Sequence, residues 1–453
     1  MASIRARLDR VKDDPSSLID SEVVERACRE ANHVWRERTL DPASTLRAFA
    51  TQIMHGNTAI AHVVRLMGDE FSESAYCQAR ARLPVPVVRA VFDESLARDA
   101  GAPGAGLWCG HRTVLIDGTG VSTPDTKELR GVLGAPRGCR EGAGLPQAHV
   151  LTIFDSHEGV LLDLCASPVH TQDLRHAHEL HPSLRPGDVL VGDRAFASFI
   201  HLHRLTAIGC HGVFRVASCW NLPFPARMGE RTRHAYNRHR RKEPILLELI
   251  GTDDQVIEIV KPRNRPRHIT PEEFASVPST MVVRAVRYTV QRRGVRSHAI
   301  TLLTTLLDAR KYPATALADL YLARWRIEVN LRHLKRTMGM DRLKCQSVDG
   351  VTRELLMFGL VYNAVCRVRA TAAHAAGIAP TRVSFVDTLR AMLMATDQGP
   401  AAPPHPPDLK VWPLRPPRTQ PRQLKRAHSD FKVITWTRQA LIQWIEKQRN
   451  DTN

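Results

Sequence analysis

The stretch Tyr321–Lys335, YLARWRIEVNLRHLK, sets one carboxylate, Glu328, among cations and aromatic rings at helical spacing. It contains no glycine or proline, so the sequence predicts an uninterrupted helix from Ala314 to about Gly339. At about 100° per residue, four side chains of one face lie within an arc of roughly 60°: Tyr321, Arg324, Glu328 and Lys335. The neighbouring face, which we expect to pack against the protein, carries Leu322, Trp325 and Val329.

This arrangement has two interpretations. Cations near a glutamate are typical of a solvated helix with salt bridges, and the spacing alone fits that structural role. The second interpretation is a functional face, on which the cations bind a ligand and the carboxylate takes part in chemistry. The choice between them depends on residues upstream.

The composition indicates a folded protein of two or more domains with a polyanionic partner. The chain has 453 residues, more than a single hydrophobic core normally spans. Its formal net charge of +18 and its pI near 10 favour nucleic acid as the partner. An apolar fraction of 43% excludes a chain that is merely a basic tail.

Nine cysteines are scattered singly, without a Cys-x-x-Cys pair. This usage predicts reduced thiols in a cytoplasmic protein and argues against a zinc site. The amino terminus has no apolar signal region, and no apolar run approaches the ~18 residues needed to span a bilayer. We therefore expect a soluble, intracellular protein with no membrane contact.

Residues 1–106 predict a helical domain that binds DNA. Asp41 and Pro42 indicate one helix start, and Ser72 caps a later helix that stops before Pro84. The helix, turn, helix spacing predicts that this later helix exposes side chains suited to bases and phosphates, namely Tyr76, Gln78, Arg80 and Arg82. The alternative is an ordinary three-helix bundle with solvated arginines. The run 101–106, rich in glycine and alanine, predicts a linker.

Residues 107–218 contain two apolar strands that each end in a carboxylate. The strand Arg112–Asp117 runs into a predicted turn at Gly118–Gly120, and the strand Asp188–Asp193 is followed by a helix. Buried strands seldom carry aspartate unless it is paired or binds a metal. Because both strands are expected in one sheet, Asp117 and Asp193 are candidates for one metal site at its edge.

Three histidines follow between these strands, on a predicted helix over 171–181. On a helix, His176 and His178 lie about 200° apart and cannot bind one ion together. We therefore interpret His176, His178 and His181 as a polar surface.

The chain between Asp193 and Glu328 is longer than one sheet edge and one helix require. Residues 219–300 within it are therefore predicted to form a β-rich insertion. Its basic loop, which includes Arg238, Arg240 and Arg241, is predicted to contact DNA phosphates, and the alternative is a solvated excursion. Four β-like runs follow, at 245–250, 256–260, 281–286 and 288–290. Trp220 and Tyr288 are candidates to stack on an exposed base, although most such aromatic side chains belong to the core.

Residues 301–395 are expected to complete the core. They contain a strand at 300–307, the helix that carries Glu328, and an apolar helix at 350–376. Residues 396–453 begin with a Pro-rich, basic stretch that predicts an extended linker, and they end in an amphipathic helix.

Three carboxylates, two on strands and one on a helix, are the donor set that phosphodiester chemistry with two Mg²⁺ ions requires. Carboxylate oxygens are the ligands that such hard cations prefer. Two ions ~3.5–4 Å apart activate water or a 3′-hydroxyl and stabilise the leaving oxygen of an in-line displacement. Asp117, Asp193 and Glu328 are thus the predicted metal ligands, and Arg324 and Lys335 the predicted phosphate contacts.

Three motifs in this order resemble the DDE transposases of bacterial insertion sequences, in the IS-four group. They are Ile116-Asp117-Gly118-Thr119, then Gly192-Asp193-Arg194-Ala195-Phe196, then Tyr321-x2-Arg324-x3-Glu328-x6-Lys335, the Y-R-E-K signature of that group. The resemblance implies an α/β fold with a ribonuclease-H-like core, interrupted by the β-rich insertion and flanked by a helical N-terminal domain and a basic C-terminal tail.

The resemblance also implies roles for single residues. Asp117, Asp193 and Glu328 would form the catalytic, metal-binding triad with two Mg²⁺ ions, for which Mn²⁺ is an expected substitute. Tyr321, Arg324 and Lys335 would contact the cleaved transposon end, and Trp325 would pack beneath the helix. Double-stranded DNA, as transposon ends and target, is the implied substrate of a homodimer associated with the bacterial nucleoid. In relatives a tryptophan of the insertion holds a flipped base during hairpin formation; the resemblance assigns that role to no residue here, so the hairpin route stays open.

Two other functions remain open at this point. One is a ribonuclease-H-like nuclease or resolvase that cuts without strand transfer. The other is an inert DNA-binding protein that represses transposition, against which the intact set of three carboxylates argues.

Overall fold

The computed structural model describes residues 19–97, 106–136, 144–216, 220, 222, 224, 244–292, 295–397, 409–412 and 438–450. In this part of the chain, the helices before the first strand are α1 (Ser21–Glu30), α2 (Pro42–Met54), α3 (Ile60–Leu66), α4 (Glu73–Arg82) and α5 (Val85–Ala97). The side chains of Asp41 and Ser72 accept hydrogen bonds from first-turn N–H groups and start α2 and α4, as predicted.

The face of α4 that was predicted to meet DNA is half wrong. Tyr76 and Arg80 are buried, whereas Gln78 and Arg82 are exposed. Tyr76 and Arg80 lie four positions apart and so share one helix face, which packs on α2. There the Tyr76 hydroxyl and Arg80 Nη1 donate to Gln52 Oε1 over 2.9 and 2.8 Å.

Within the described ranges, the centre of the molecule is one sheet of nine strands, so the fold is α/β. The strands are β1 (Thr113–Ser122), β2 (Gln147–Asp155), β3 (Leu161–Pro168), β4 (Val189–Gly192), β5 (His211–Arg215), β6 (Ile245–Gly251), β7 (Asp254–Val260), β8 (Thr280–Arg292) and β9 (Val295–Thr304). Their order is β3-β2-β1-β4-β5-β9-β8-β7-β6. Strands β1, β4 and β5 run parallel, and every other pairing is antiparallel.

The remaining helices lie between and after the strands. They are α6 (Lys127–Leu133), α7 (Asp173–His176), α8 (Phe199–Ala207), α9 (Pro271–Ser276), α10 (Ala314–Ala323), α11 (Trp325–Arg332), α12 (Val348–Ala375), α13 (Phe385–Asp397) and α14 (Arg438–Asn450). A 3₁₀ segment over Ala177–Ser183 continues α7. His181 on this segment is buried against His201, so the prediction of a polar surface is wrong for this histidine.

The β-rich insertion extends the central sheet. The runs predicted at 245–250 and 256–260 are β6 and β7, while those at 281–286 and 288–290 form one strand, β8. Strand β9 pairs with β8 over most of its length and with β5 at its end, where Leu302–Thr304 lie opposite Arg215–Val213. This shared pairing joins the insertion to β5, which in turn pairs with β4, the strand that ends before Asp193.

Alternate residues of β1 point into two separate apolar clusters, one on each face of the sheet. Leu115 lies in the cluster that contains α12 and the N-terminal helices, and Ile116 lies in the cluster that contains α8. The boundary predicted at residue 106 therefore separates helices from sheet, but α1, α2 and α5 on its N-terminal side share one core with α12.

Among the described residues, α12 is the one helix long and apolar enough to cross a membrane by length and composition. Its most apolar window is 89% buried inside the protein. It is the central core helix, as its predicted apolar stripe indicates.

The stretch that contains Tyr321 and Lys335 is not one continuous helix. Helix α10 ends at Ala323 and α11 begins at Trp325, because bonds of the i to i+3 type flank Arg324: its N–H donates to Tyr321 O, and Ile327 N–H donates to Arg324 O. A π-helical turn, His333–Thr337, then carries Lys335.

The predicted packing face of this stretch is wrong as well. Leu322 and Trp325 are 44% and 45% exposed. The side that packs on the core is formed instead by Leu320, Tyr321, Ile327, Leu331 and Leu334. The break at Arg324 and the tertiary contacts of α11 with β1 decide this orientation, which helical periodicity alone does not define.

Candidate active site

The two predicted aspartates lie on neighbouring parallel strands. Leu115 of β1 lies opposite Val191 of β4, so Asp117 and Asp193 each come two residues beyond a paired position. Strand β4 stops at Gly192, whereas β1 continues to Ser122 because it keeps pairing with β2. The prediction of a turn after Asp117 is therefore wrong. Asp117 lies inside β1, at the point where its neighbour β4 has ended.

Hydrogen bonds fix both carboxylates. Asp117 Oδ1 accepts from the N–H of Gly118 over 2.9 Å, and Asp193 Oδ1 accepts from the N–H of Ala195 over 2.7 Å. The pKa of Asp117 is raised to about 6, chiefly by burial and also by the nearby carboxylates of Asp193 and Asp173, while the Gly118 N–H and Arg324 act to lower it. Negative charge is thus concentrated here, which favours a bound cation.

Glu328 lies in the first turn of α11, and Arg324 connects it to β1. Arg324 Nη1 donates to Asp117 Oδ2 over 3.3 Å, and Nη2 donates to Glu328 Oε1 over 3.4 Å. The guanidinium lies between the two carboxylates, with 18% of its side chain exposed. Among the described residues, no group of three His, Cys, Asp or Glu side chains converges closely enough to hold one metal ion.

The donor set nevertheless has the chemistry of a divalent-cation site. Asp117, Asp193 and Glu328 offer carboxylate oxygens only, the ligands of Mg²⁺ and Mn²⁺. Asp117 lies close enough to Asp193 for that charge to raise its pKa. A divalent cation would relieve this repulsion.

Lys335 and Tyr321 also lie near the point where β4 ends beside β1. Lys335 Nζ donates to Thr119 Oγ1 over 3.0 Å and to Gly120 O over 2.7 Å, and burial lowers the pKa of Lys335. The Tyr321 ring is 8% exposed and lies 5.8 Å from the Arg324 guanidinium carbon. Arg324 and Lys335 of the Y-R-E-K stretch therefore contact the strand that carries Asp117, and Tyr321 and Glu328 lie against Arg324.

Sequence reasoning missed one cation of this site. Val191 of β4 lies opposite Val213 of β5, so Arg215 at the end of β5 comes beside Asp193. Arg215 also lies near enough to Tyr321 to lower the pKa of its hydroxyl, against the larger effect of burial. The signal was available, because HGVFR ends a strand in a charged residue as the two aspartate strands do.

Sequence reasoning also missed a hydrogen-bonded pair of side chains beside Gly118. His149 on β2 hydrogen bonds with Asp173 at the start of α7. A Cβ on Gly118 would come within 2.6 Å of both His149 Nε2 and Asp173 Oδ1. Glycine is therefore required next to Asp117 so that this pair can approach the strand.

The remaining predicted contacts are the basic loop and two aromatic residues. Arg238, Arg240 and Arg241 lie outside the described residues. Trp220 packs against the cluster of α8, and Tyr288 packs against the cluster of α12, so both belong to the core.

Comparison with known proteins identifies the family. The family model described as a transposase DDE domain matches residues 108–364, which contain all three carboxylates. The chain belongs to the DDE transposase family. It is 25% identical over 398 residues to transposase InsG of insertion sequence element IS4 from Escherichia coli K12, which covers 84% of this chain and 83% of InsG. Within the family it is thus a transposase of the IS4 group.

A solved structure is also similar. The synaptic complex of piggyBac transposase with hairpin DNA is 11% identical, covers 88% of this chain and 80% of that chain, and has a TM-score of 0.41.

The function follows from the family. The protein catalyses DNA transposition, and its chemistry is metal-dependent phosphodiester hydrolysis and transesterification on bound DNA. The sequence left two alternatives, a nuclease without strand transfer and an inert repressor. Family membership supports the transposase instead of either alternative.

Proposed function

We propose that Asp117, Asp193 and Glu328 are the catalytic carboxylates and that they hold two Mg²⁺ ions, with Mn²⁺ as a substitute. One observation carries this assignment: the register of β1 and β4 brings both aspartates to the place where β4 ends, and Arg324 connects Glu328 to the same place. The strand order β3-β2-β1-β4-β5, with β1, β4 and β5 parallel, supports a ribonuclease-H-like core.

The bound ions would activate the attacking oxygen and stabilise the leaving one. The side chains of the chain itself position the DNA. Arg324 presents a planar fork suited to a phosphate, whereas Lys335 presents a point charge that Thr119 and Gly120 orient. Arg215 adds a third cation at the end of β5. Arg324 thus contacts two of the carboxylates, Lys335 contacts β1 just beyond Asp117, and Arg215 comes beside Asp193 by strand register.

We propose further DNA contacts for two other groups of residues. The arginines at 238, 240 and 241 are proposed to bind phosphates of the transposon end, on the basis of their charge. In the N-terminal helices, the exposed Gln78 and Arg82 of α4 are the proposed contacts, in place of the buried Tyr76 and Arg80. We also propose a homodimer in the synaptic complex and a cytoplasmic, nucleoid-associated protein.

Cleavage of duplex DNA that carries the element's inverted repeat tests the catalytic assignment. Glu328→Gln should bind this duplex in a gel shift as well as the original chain does, and it should lose Mg²⁺-dependent cleavage by at least about 100-fold, since a carboxylate ligand becomes an amide. Asp319→Asn is the matched control, because Asp319 is exposed on α10 and its loss should leave cleavage unchanged. Undiminished cleavage by Glu328→Gln would contradict the assignment.

A second gel shift tests the N-terminal contacts. Arg82→Ala should weaken binding to the inverted repeat, and Arg80→Ala should chiefly destabilise the fold, because only Arg82 is exposed. Equal binding by Arg82→Ala and the original chain would place end recognition elsewhere.

A further inference from the structure

The guanidinium of Arg324 joins two elements that are far apart in the chain. It donates to Asp117 Oδ2 on β1 and to Glu328 Oε1 on α11, over 3.3 and 3.4 Å. These are carboxylate oxygens that the proposed metal site needs. One positive group therefore already lies where the two negative groups face each other.

The local structure fixes Arg324 in this position. It is the junction residue between α10 and α11, held by backbone bonds to Tyr321 on one side and Ile327 on the other. The Tyr321 ring lies 5.8 Å from its guanidinium carbon and is itself buried. The side chain is thus directed at the carboxylates by the break in the helix.

The contacts of Arg324 are long for charged partners. Charge-assisted N–H···O bonds are typically about 2.7–2.9 Å, so bonds of 3.3 and 3.4 Å are weak members of this class. A DNA phosphate offers the same pair of acceptor oxygens to the guanidinium fork. Exchange of the carboxylates for a phosphate would therefore lose little hydrogen-bond energy.

We propose that in the DNA-free chain Arg324 occupies the space between Asp117 and Glu328 that a divalent cation needs. Binding of a DNA phosphate by Arg324 then frees both carboxylates, so that DNA binding and cation binding favour each other. This inference rests on the proposed function, because it takes Asp117 and Glu328 as cation ligands. By linkage, the coupling is reciprocal, and the cation strengthens DNA binding by the same factor.

A titration of the DNA-free, full-length chain with Mn²⁺, followed by electron paramagnetic resonance, tests the proposal without catalysis. Arg324→Gln should bind Mn²⁺ roughly tenfold more tightly than the original chain, within the usual range of such couplings. Arg326→Gln is the matched control: it removes the same charge two residues away, and Arg326 Nη1 donates to Ser156 O instead of a carboxylate. Its Mn²⁺ affinity should stay unchanged.

Two results would overturn the inference. If Arg324→Gln binds Mn²⁺ no more tightly than the original chain, Arg324 does not block the cation. If the original chain and Arg324→Gln both bind Mn²⁺ no more tightly than Asp117→Asn does, the metal-site assignment fails and the inference fails with it. The first result leaves the proposed function intact, so the two failures are distinguishable.

A second variant keeps the test decisive if Arg324→Gln does not fold, as judged by circular dichroism. Arg324→Lys retains the charge but replaces the fork by one ammonium, which bonds a single carboxylate less rigidly. Its Mn²⁺ affinity should rise by about threefold, between the original chain and the neutral variant. An unchanged affinity in this variant would contradict the inference.

Discussion

Asn57 Nδ2 donates a 2.7 Å hydrogen bond to Glu354 Oε1, and both residues are buried although 297 positions separate them. Glu354 also accepts from the N–H groups of Lys344 and Cys345. This carboxylate therefore joins the N-terminal helices to the segment that follows Lys335. The helices at the beginning of the chain and the residues around Lys335 are parts of one packed unit.

Loss of this carboxylate should destabilise the fold. Glu354→Ala removes the acceptor of the buried Asn57 amide and Cys345 N–H and of the partly buried Lys344 N–H, at an expected loss of about 3–5 kcal/mol in the free energy of unfolding. Glu25→Ala is the control, since Glu25 is exposed and pairs with Arg29 on one helix. Urea denaturation measures both, and a loss below about 1 kcal/mol for Glu354→Ala would contradict the role of this network.

Two left-handed glycines on either side of this contact give a matched pair. Gly339 has φ +85°, and a Cβ on it would lie 2.8 Å from the carbonyl oxygen of Gly56. Gly56 has φ +69° and no atom within 4 Å of such a Cβ. Gly56→Ala should cost about 1–2 kcal/mol through backbone strain alone. Gly339→Ala should cost clearly more in the same urea experiment, and equal losses would argue against the close approach.

Acid should destabilise the protein through His181 and His201. Burial lowers the pKa of His181 from 6.5 to about 3 and that of His201 to about 4. Both rings stay neutral when folded but bind protons when unfolded, so stability is lost as pH falls below about 6.5. The loss should be about 2 kcal/mol for each ring at pH 5.

Urea denaturation from pH 7.5 to 5 measures this effect. His181→Phe keeps an aromatic ring against His201 and should flatten the pH dependence. His374→Gln, at an exposed position, should leave it as it is. A pH dependence unaltered in His181→Phe would show that other groups cause the acid loss.

The charge on Asp117 should reduce stability at neutral pH. Its folded-state pKa of about 6 lies above the ordinary 3.8, so ionisation above pH 6 opposes folding, and this cost disappears as pH falls toward 3.8. In metal-free buffer at pH 8, Asp117→Asn should raise the free energy of unfolding by about 2 kcal/mol, with allowance for partial exposure. At pH 4 the gain should be small.

Asp188→Asn provides the contrast of opposite sign. Asp188 is buried, and it accepts from Arg112 over 2.5 and 2.9 Å and from the N–H of Arg185 over 2.8 Å. Its loss should destabilise the chain at pH 8. A lower free energy of unfolding for Asp117→Asn at pH 8, the result expected for Asp188→Asn, would contradict the prediction and give the Asp117 carboxylate a structural role.

The sequence by itself determined the local elements and the residues with chemical potential. The caps at Asp41 and Ser72 and the strands before Asp117 and Asp193 depend on neighbouring residues, through short-range hydrogen bonds and alternating polarity. The spacing from Tyr321 to Lys335 likewise indicated the Y-R-E-K signature, and the family comparison confirmed the group to which it belongs.

Only the tertiary structure decided which faces are covered and which charges meet. Tyr76 and Arg80 turned inward because α2 covers them, Trp325 remained half exposed because the helix breaks at Arg324, and Arg215 came beside Asp193 through strand register. The contact of Arg324 with Asp117 joins residues 207 positions apart. Helical periodicity gives the relative angles of side chains, whereas the partner that each side chain meets depends on the packing of segments distant in the chain.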